Sequence, residues 1–342
     1  MNVVDVHAHY YPPEYVARLR PLAGQPGEAG DVARRFFANS QVQQVPAFTG
    51  ALADRVALLD RAGVGTQILS FASMNVYHPD ESERTALVRA FNDGCAQAVL
   101  GHPGRFRFFA SMPVPFVDAA IAEARRVRTL TGFAGFSLPT HIDGMTIDDP
   151  RLDPLYAEWN STPALVLLHP DGFCVRGALT DHSMEWGLGA PFEDTIAAVR
   201  LLRSGMLERY PNLTWVVPHL GGVLPFLWHR LTWRWARDAV YDGGADRQSM
   251  STARLLLDTA NSTAANLALA ATAVPDMELV FGSDYPFLDG DALRRGVATV
   301  RASASVLDPE HVLASTIAGH LLSPRPAGSP TEREKDDDRA AR

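Results

Sequence analysis

Eight short apolar runs recur along the chain, and most are followed by a stretch in which apolar residues return every three or four positions. The runs fall at 2–6, 65–71, 106–113, 133–139, 164–169, 214–219, 254–259 and 278–283. They are aliphatic or aromatic with little polar alternation, the pattern of strands buried on both faces. The helical periodicity is clearest at 52–62, 83–100, 117–129, 192–209 and 292–303. It is weaker at 150–159, 223–240 and 261–273, and 309–318 closes the set. Strand–helix alternation repeated eight times predicts an α/β chain folded as a distorted (β/α)8 TIM barrel. An open doubly wound sheet would instead want a glycine-rich turn after the first strand, and none follows it.

Three stretches leave the repeat. Residues 12–50, rich in Pro, Gly and Arg, form a long insertion after strand one and are expected to act as a lid or interface arm over the active face. Residues 171–189 form a second long loop, after strand five. Residues 324–342 carry no apolar anchor and are expected to be a disordered tail, leaving 1–323 as a single domain.

Composition narrows the function. Of 342 residues 46% are apolar and 20% charged, which suits a large core and excludes wholesale disorder. The net charge of −8 leaves no basic surplus for a phosphate backbone, so no nucleic-acid partner is expected. No apolar run reaches the roughly 18 residues of a membrane span, and the opening residues read as a strand rather than a leader. Two cysteines, Cys95 and Cys174, make no disulfide framework, which suggests a reduced, cytoplasmic setting. The only lysine is Lys335, in the tail. The folded body therefore has no Schiff-base lysine, no P-loop lysine and no carbamylated lysine to bridge two metals.

The chemistry-bearing residues gather at the ends of the predicted strands. His7 and His9 end strand one, and residues two apart on a strand face the same side. His169 ends strand five, His219 ends strand six and Asp284 follows strand eight. Active sites of these barrels lie at that end. Two or three imidazoles with a carboxylate suit a divalent cation with positions left open for water and substrate.

Asp5-Val6-His7-Ala8-His9, His169-Pro170, His219-Leu220-Gly221-Gly222 and Gly282-Ser283-Asp284-Tyr285-Pro286 resemble the amidohydrolase superfamily. More narrowly, they are similar to its decarboxylase branch, the relatives of aminocarboxymuconate-semialdehyde and γ-resorcylate decarboxylases. Pro12-Pro13, the stretch from Asp60 to Val64 and Glu193-Asp194-Thr195 look most like the 6-methylsalicylate type. The resemblance implies one divalent metal per chain, zinc or manganese, held by His7, His9, His169 and Asp284. His219 would then be a base that does not bind the metal, and Asp284 would also carry the proton of a decarboxylation. Strand four, with neither lysine nor carboxylate, agrees with a single metal.

The branch's aminocarboxymuconate members carry an arginine for a second substrate carboxylate, and 41–50 has none. Phe36, Phe37 and Phe48 lie nearby instead, which favours an aromatic or apolar monoacid unless Arg34 or Arg35 compensates from the lid. Arg230 matches a family arginine and reads either as a structural pair or as a substrate contact. Phe48 and His141, just past strand four, are the other expected pocket residues. Asp258 is expected to orient His219 or to bind metal, and Cys174 to lie near the pocket. The Trp- and Arg-rich stretch from Trp228 to Arg237 suits a homodimer interface. The expected function is thus a metal-dependent, non-oxidative decarboxylase of a hydroxyaryl or conjugated carboxylic acid. A hydrolase of a lactone, amide or C–C bond using the same site is the alternative, and a metal-free scaffold on a decayed barrel is disfavoured by the intact ligand set.

Overall fold

The computed structural model of the chain describes residues 2–38, 48–72, 77–171, 179, 182, 184–241, 252–274, 277–288, 290–315, 317 and 319. The 41–47 stretch, Cys174, His320 and the tail lie outside the described residues, and so does part of the 12–50 insertion.

Ten strands are described: β1 Val3–His9, β2 Val64–Ser70, β3 Phe106–Ala110, β4 Phe133–Pro139, β5 His141–Ile142, β6 Met145–Thr146, β7 Ala164–His169, β8 Leu213–Val217, β9 Leu255–Asp258 and β10 Glu278–Val280. Eight of them form one parallel sheet in the order β1-β2-β3-β4-β7-β8-β9-β10, while β5 and β6 make a small hairpin after β4. The sheet nearly closes on itself. Val6 N donates to Phe281 O at 2.9 Å, Asp284 N to His7 O at 2.8 Å and His9 N to Tyr285 O at 2.7 Å. These bonds stitch the chain beyond β10 to β1, giving the distorted TIM barrel that the alternation predicts. The Asp5 carboxylate reinforces the seam by accepting from Ser283 N, the Ser283 hydroxyl and Gln67 Nε2.

Apolar side chains fill two layers. Val4, Val6, Ile68, Phe109, Leu165, Leu167, Val216, Leu256 and Val280 pack inside the barrel. The other sides of the strands face a shell of eleven helices among the described residues: α1 Pro13–Leu19, α2 Glu28–Ala38, α3 Leu52–Ala62, α4 Glu81–Gly101, α5 Val117–Val127, α6 Asp153–Trp159, α7 Ala190–Arg203, α8 Met206–Arg209, α9 Leu224–Tyr241, α10 Ala264–Ala273 and α11 Gly290–Ala302. The helix expected over 192–209 is broken between α7 and α8 by Gly205, which adopts φ 72°. The one expected over 309–318 is helical at 309–310 and π-helical over His311–Ser315.

The described part of the 12–50 insertion is more ordered than its composition suggested, forming α1, a 3-10 turn at Arg20–Gly24 and α2. It is fastened by aromatic rings. Tyr11 meets Phe36, Phe48 and Phe71 at centroid distances of 4.9, 5.6 and 5.2 Å, and Tyr15 meets Phe71 at 5.3 Å. All are buried, and each such ring contributes about 2–3 kcal/mol on removal from water.

Candidate active site

A β-bulge aims the first two histidines. Val4 and Val6 point into the barrel, so uninterrupted alternation would send Ala8 inward and His7 and His9 outward. Between Asp5 and Ala8 the pairing with β2 slips by one residue, after which His9 sits opposite Ser70. The extra residue reverses the parity, and both imidazoles face the mouth. Ligand atoms of His7, His9, His169 and Asp284 there lie within 4.8 Å of one another, and all four residues are buried.

Each ring is held from behind. His7 Nδ1 donates to Asp258 Oδ2 at 2.7 Å, His169 Nδ1 to Pro170 O at 2.9 Å, and His9 Nδ1 to Ser70 Oγ at 3.2 Å. These bonds keep the hydrogens on the outer nitrogens and turn the three Nε2 lone pairs inward. His7 Nε2 and His9 Nε2 stand 3.1 Å apart, and His169 Nε2 is buried with no hydrogen-bond partner. Converging lone pairs beside a carboxylate repel unless a cation lies between them, so the donor set fits a divalent metal. Burial pushes His9 down to about 4 and His169 well below its ordinary value, so both are neutral near pH 7. Burial would raise Asp284, but the hydrogen bond from His219 and the surrounding imidazoles outweigh it and hold the carboxyl well below its usual range.

The two oxygens of Asp284 face different groups. Oδ1 lies 3.1 Å from His9 Nε2 and 3.5 Å from His7 Nε2. Oδ2 accepts from Asn261 Nδ2 at 2.9 Å and lies 3.5 Å from His219 Nε2. The other ring nitrogen of His219, Nδ1, donates to Asp194 Oδ2 at 2.9 Å. Burial would lower His219, but its hydrogen bonds to Asp194 and Asp284 outweigh it and raise the imidazole well above its ordinary value. His219, 5.2 Å from His7 between ring centroids, is not among the four residues whose ligand atoms converge.

Backbone strain accompanies this arrangement. His219, Leu220, Asn261 and Asp284, just past β8, β9 and β10, all adopt left-handed φ between 53° and 59°. Such residues cost about 1–3 kcal/mol each and persist where surrounding bonds over-determine them. Two glycines permit the close approach. A Cβ on Gly282 would come within 2.8 Å of His7 and 2.9 Å of Asp258, and one on Gly222, at φ 66°, would overlap the Pro191 carbonyl.

A cavity of about 510 Å³ opens over His169, His219 and Asp284. Its wall is apolar at Trp186, Leu220, Ala260, Phe287 and Leu288 and polar at Asn261, Ser262 and Asn266, and no described wall residue is an arginine. The expected pocket residues sit elsewhere. Phe48 is fully buried one layer back, its ring 4.9 Å from Phe287, which in turn lies 5.4 Å from His9. His141 pairs with Thr146 in the hairpin, and Arg230 lies on the exposed face of α9. Arg34 bonds to Ala23 O, Gln25 O and Asp31 within the insertion. Asp258 serves His7 with its side chain and touches His219 only by accepting its backbone N–H, at 2.9 Å.

Asp194 and Asn261 were missed as site residues. The first belongs to a triplet noted only as a resemblance, and nothing local in the sequence marks the second.

The chain matches the amidohydrolase family over residues 4–314. It is 30% identical to the 2-amino-3-carboxymuconate-6-semialdehyde decarboxylase of Dictyostelium discoideum, over 50% of this chain and 48% of that protein. It is 34% identical to a γ-resorcylate decarboxylase of Rhodococcus jostii, over 52% and 60%. The first two relatives are thus matched over about half of their length. A 6-methylsalicylic acid decarboxylase of Penicillium expansum is 28% identical over 86% of this chain and 88% of its own. Among solved structures, 5-carboxyvanillate decarboxylase from Sphingomonas paucimobilis superposes with TM-score 0.78 at 21% identity, covering 95% of this chain and 99% of that one. A 5-carboxyvanillate decarboxylase from Novosphingobium aromaticivorans with bound manganese gives 0.72 at 18%, covering 91% and 96%. With its barrel, its gathered histidines and a family match along nearly all of its described length, the chain belongs to the amidohydrolase family.

Proposed function

We propose that the protein is a metal-dependent, non-oxidative decarboxylase of a hydroxyaryl monocarboxylic acid, with His7, His9, His169 and Asp284 as ligands of one metal and His219 as the unligated acid–base group. The names of the relatives support decarboxylation, and the donor set supports the metal, zinc or manganese. A divalent metal in this donor set supplies Lewis acidity toward a substrate carboxylate and the oxygen beside it.

The observation that carries the reading is the division of Asp284, one oxygen among the clustered histidines and the other toward His219 and Asn261. A carboxyl group so placed can deliver a proton into the cavity from Oδ2. Decarboxylation of an ortho-hydroxy acid requires this. A C–H bond forms at the ring carbon that bears the carboxylate. The C–CO2 bond then breaks, its electron pair restores the ring, and CO2 leaves. Asp284 is left as the carboxylate and regains its proton through His219.

In the free enzyme Asp284 is ionised, so it takes a proton only when an anionic substrate lies alongside. This argues for a substrate that presents a carboxylate and an adjacent oxygen together. The apolar wall, with no arginine among its described residues, argues against a second carboxylate. The cavity of about 510 Å³ suits a single substituted ring. The test is CO2 release from a panel of ortho-hydroxybenzoates and the same acids lacking the hydroxyl. Removing the oxygen is expected to abolish turnover rather than merely raise KM, because ring activation is lost with it. Equal turnover of both series would contradict the reading.

A further inference from the structure

We propose that Asp194 is the positioning residue of His219: from the N-terminal half of α7 it fixes which ring nitrogen carries hydrogen and aims the other at Asp284. The functional part of this inference rests on the proposed role of His219 as the group that returns a proton to Asp284.

The argument starts from the turn that bears His219. His219 and Leu220 adopt φ of 53° and 58°, and Gly222 leaves no room for a side chain against the Pro191 carbonyl. The turn contributes no side-chain acceptor of its own to the imidazole, and the acceptor comes from α7. Asp194 is fully buried, and its Oδ2 accepts from His219 Nδ1 at 2.9 Å. Its Oδ1 has no hydrogen-bond partner, so the whole carboxylate is committed to this one ring. Burying a carboxylate with a single hydrogen-bond partner is costly.

The neighbours on α7 have the complementary task. Glu193 accepts from the Thr140 hydroxyl and from Asp171 N, each at 2.9 Å, tying the ends of β4 and β7 together. Thr195 donates to Gly221 O at 3.0 Å and accepts from Val223 N at 2.9 Å, clamping the turn itself. Of the three, Asp194 is the one bonded to the His219 ring. With Nδ1 carrying hydrogen in either protonation state of the ring, Nε2 is the nitrogen that exchanges a proton, 3.5 Å from Asp284 Oδ2. Asp194, His219 and Asp284 thus form a line of three groups leading from the interior of α7 to the cavity.

The first test needs no substrate. In as-purified protein labelled with 15N-histidine, the His219 ring is expected to show hydrogen on Nδ1. In Asp194→Ala, and in Asp194→Leu, which fills the space without a polar atom, those ring signals are expected to move while those of His7, His9 and His169 and the metal content stay as they were. Unchanged His219 signals, or equal disturbance of all four rings, would overturn the assignment. The second test uses the decarboxylation of an ortho-hydroxybenzoate. Asp194→Ala is expected to lower kcat about tenfold to a hundredfold with KM nearly unchanged, and Asp194→Asn to recover part of the loss. In a His219→Ala background Asp194→Ala is expected to cost nothing more, because it acts only through that ring. Equal losses in both backgrounds would mean a structural role and would overturn the proposal. If no hydroxyaryl acid is turned over, the proposed function fails while the spectroscopic test still decides the positioning role.

Discussion

Each histidine at the mouth of the barrel is aimed by whatever holds its other ring nitrogen, and for two of the four that partner is a buried aspartate. Asp258 turns His7 toward His9, His169 and Asp284, and Asp194 turns His219 toward Asp284. The division has measurable consequences. Purified protein is expected to hold about one divalent metal per chain by elemental analysis. His7→Ala or Asp284→Ala should lose it and His219→Ala should keep it. The reverse pattern would exchange the ligand and base assignments. Asp258→Ala should retain the fold but bind metal about 10–100-fold more weakly, read by competition with a chelator, because the His7 tautomer is no longer fixed.

Among the elements, the strands and the site differ in how much of them could be seen beforehand. Strands buried on both faces advertise themselves as apolar runs, and two of the eight, β4 and β7, begin and end where the pattern puts them. His7, His9, His169, His219 and Asp284 could be picked out because each lies at or just past a strand end. The bulge that turns His7 and His9 inward could not, since a one-residue slip depends on pairing with β2 and leaves no local signature. Nor could the partner of His219 be recognised, because it comes from α7, 25 residues earlier in the chain. Asn261 reaches Asp284 only through the closing turn of the barrel. Phe48 was noticed for its aromaticity and lies behind the wall, supporting Phe287 instead of lining the cavity. The turn after β8 is a further place where element geometry governs the site. Gly222→Ala is expected to cost about 2 kcal/mol or more in denaturant unfolding, from the collision with Pro191 and the left-handed φ. A cost below about 0.5 kcal/mol would show that the turn is not strained as described.

Over the whole molecule, one outer face of the helical shell is notably apolar. Phe226 is 76% exposed and Trp233 55% exposed on α9, and Phe192 and Ile196 of α7 are also exposed. So much apolar surface beside the mouth suits association with a second copy. Sedimentation at micromolar concentration is expected to give a homodimer, and Trp233→Asp to shift it toward the monomer. A monomeric parent protein would remove that reading without touching the active site. A metal-activated water in the same site would make the barrel a hydrolase instead. One isotope experiment separates the two most directly: turnover of an ortho-hydroxybenzoate in D2O enriched with 18O, followed by mass analysis of the product. A decarboxylase is predicted to release CO2 and leave one deuterium on the carbon that carried it, with no 18O in the aromatic product. Incorporation of 18O into a product of lactone or amide cleavage, with no CO2 from any hydroxyaryl acid, would contradict the account.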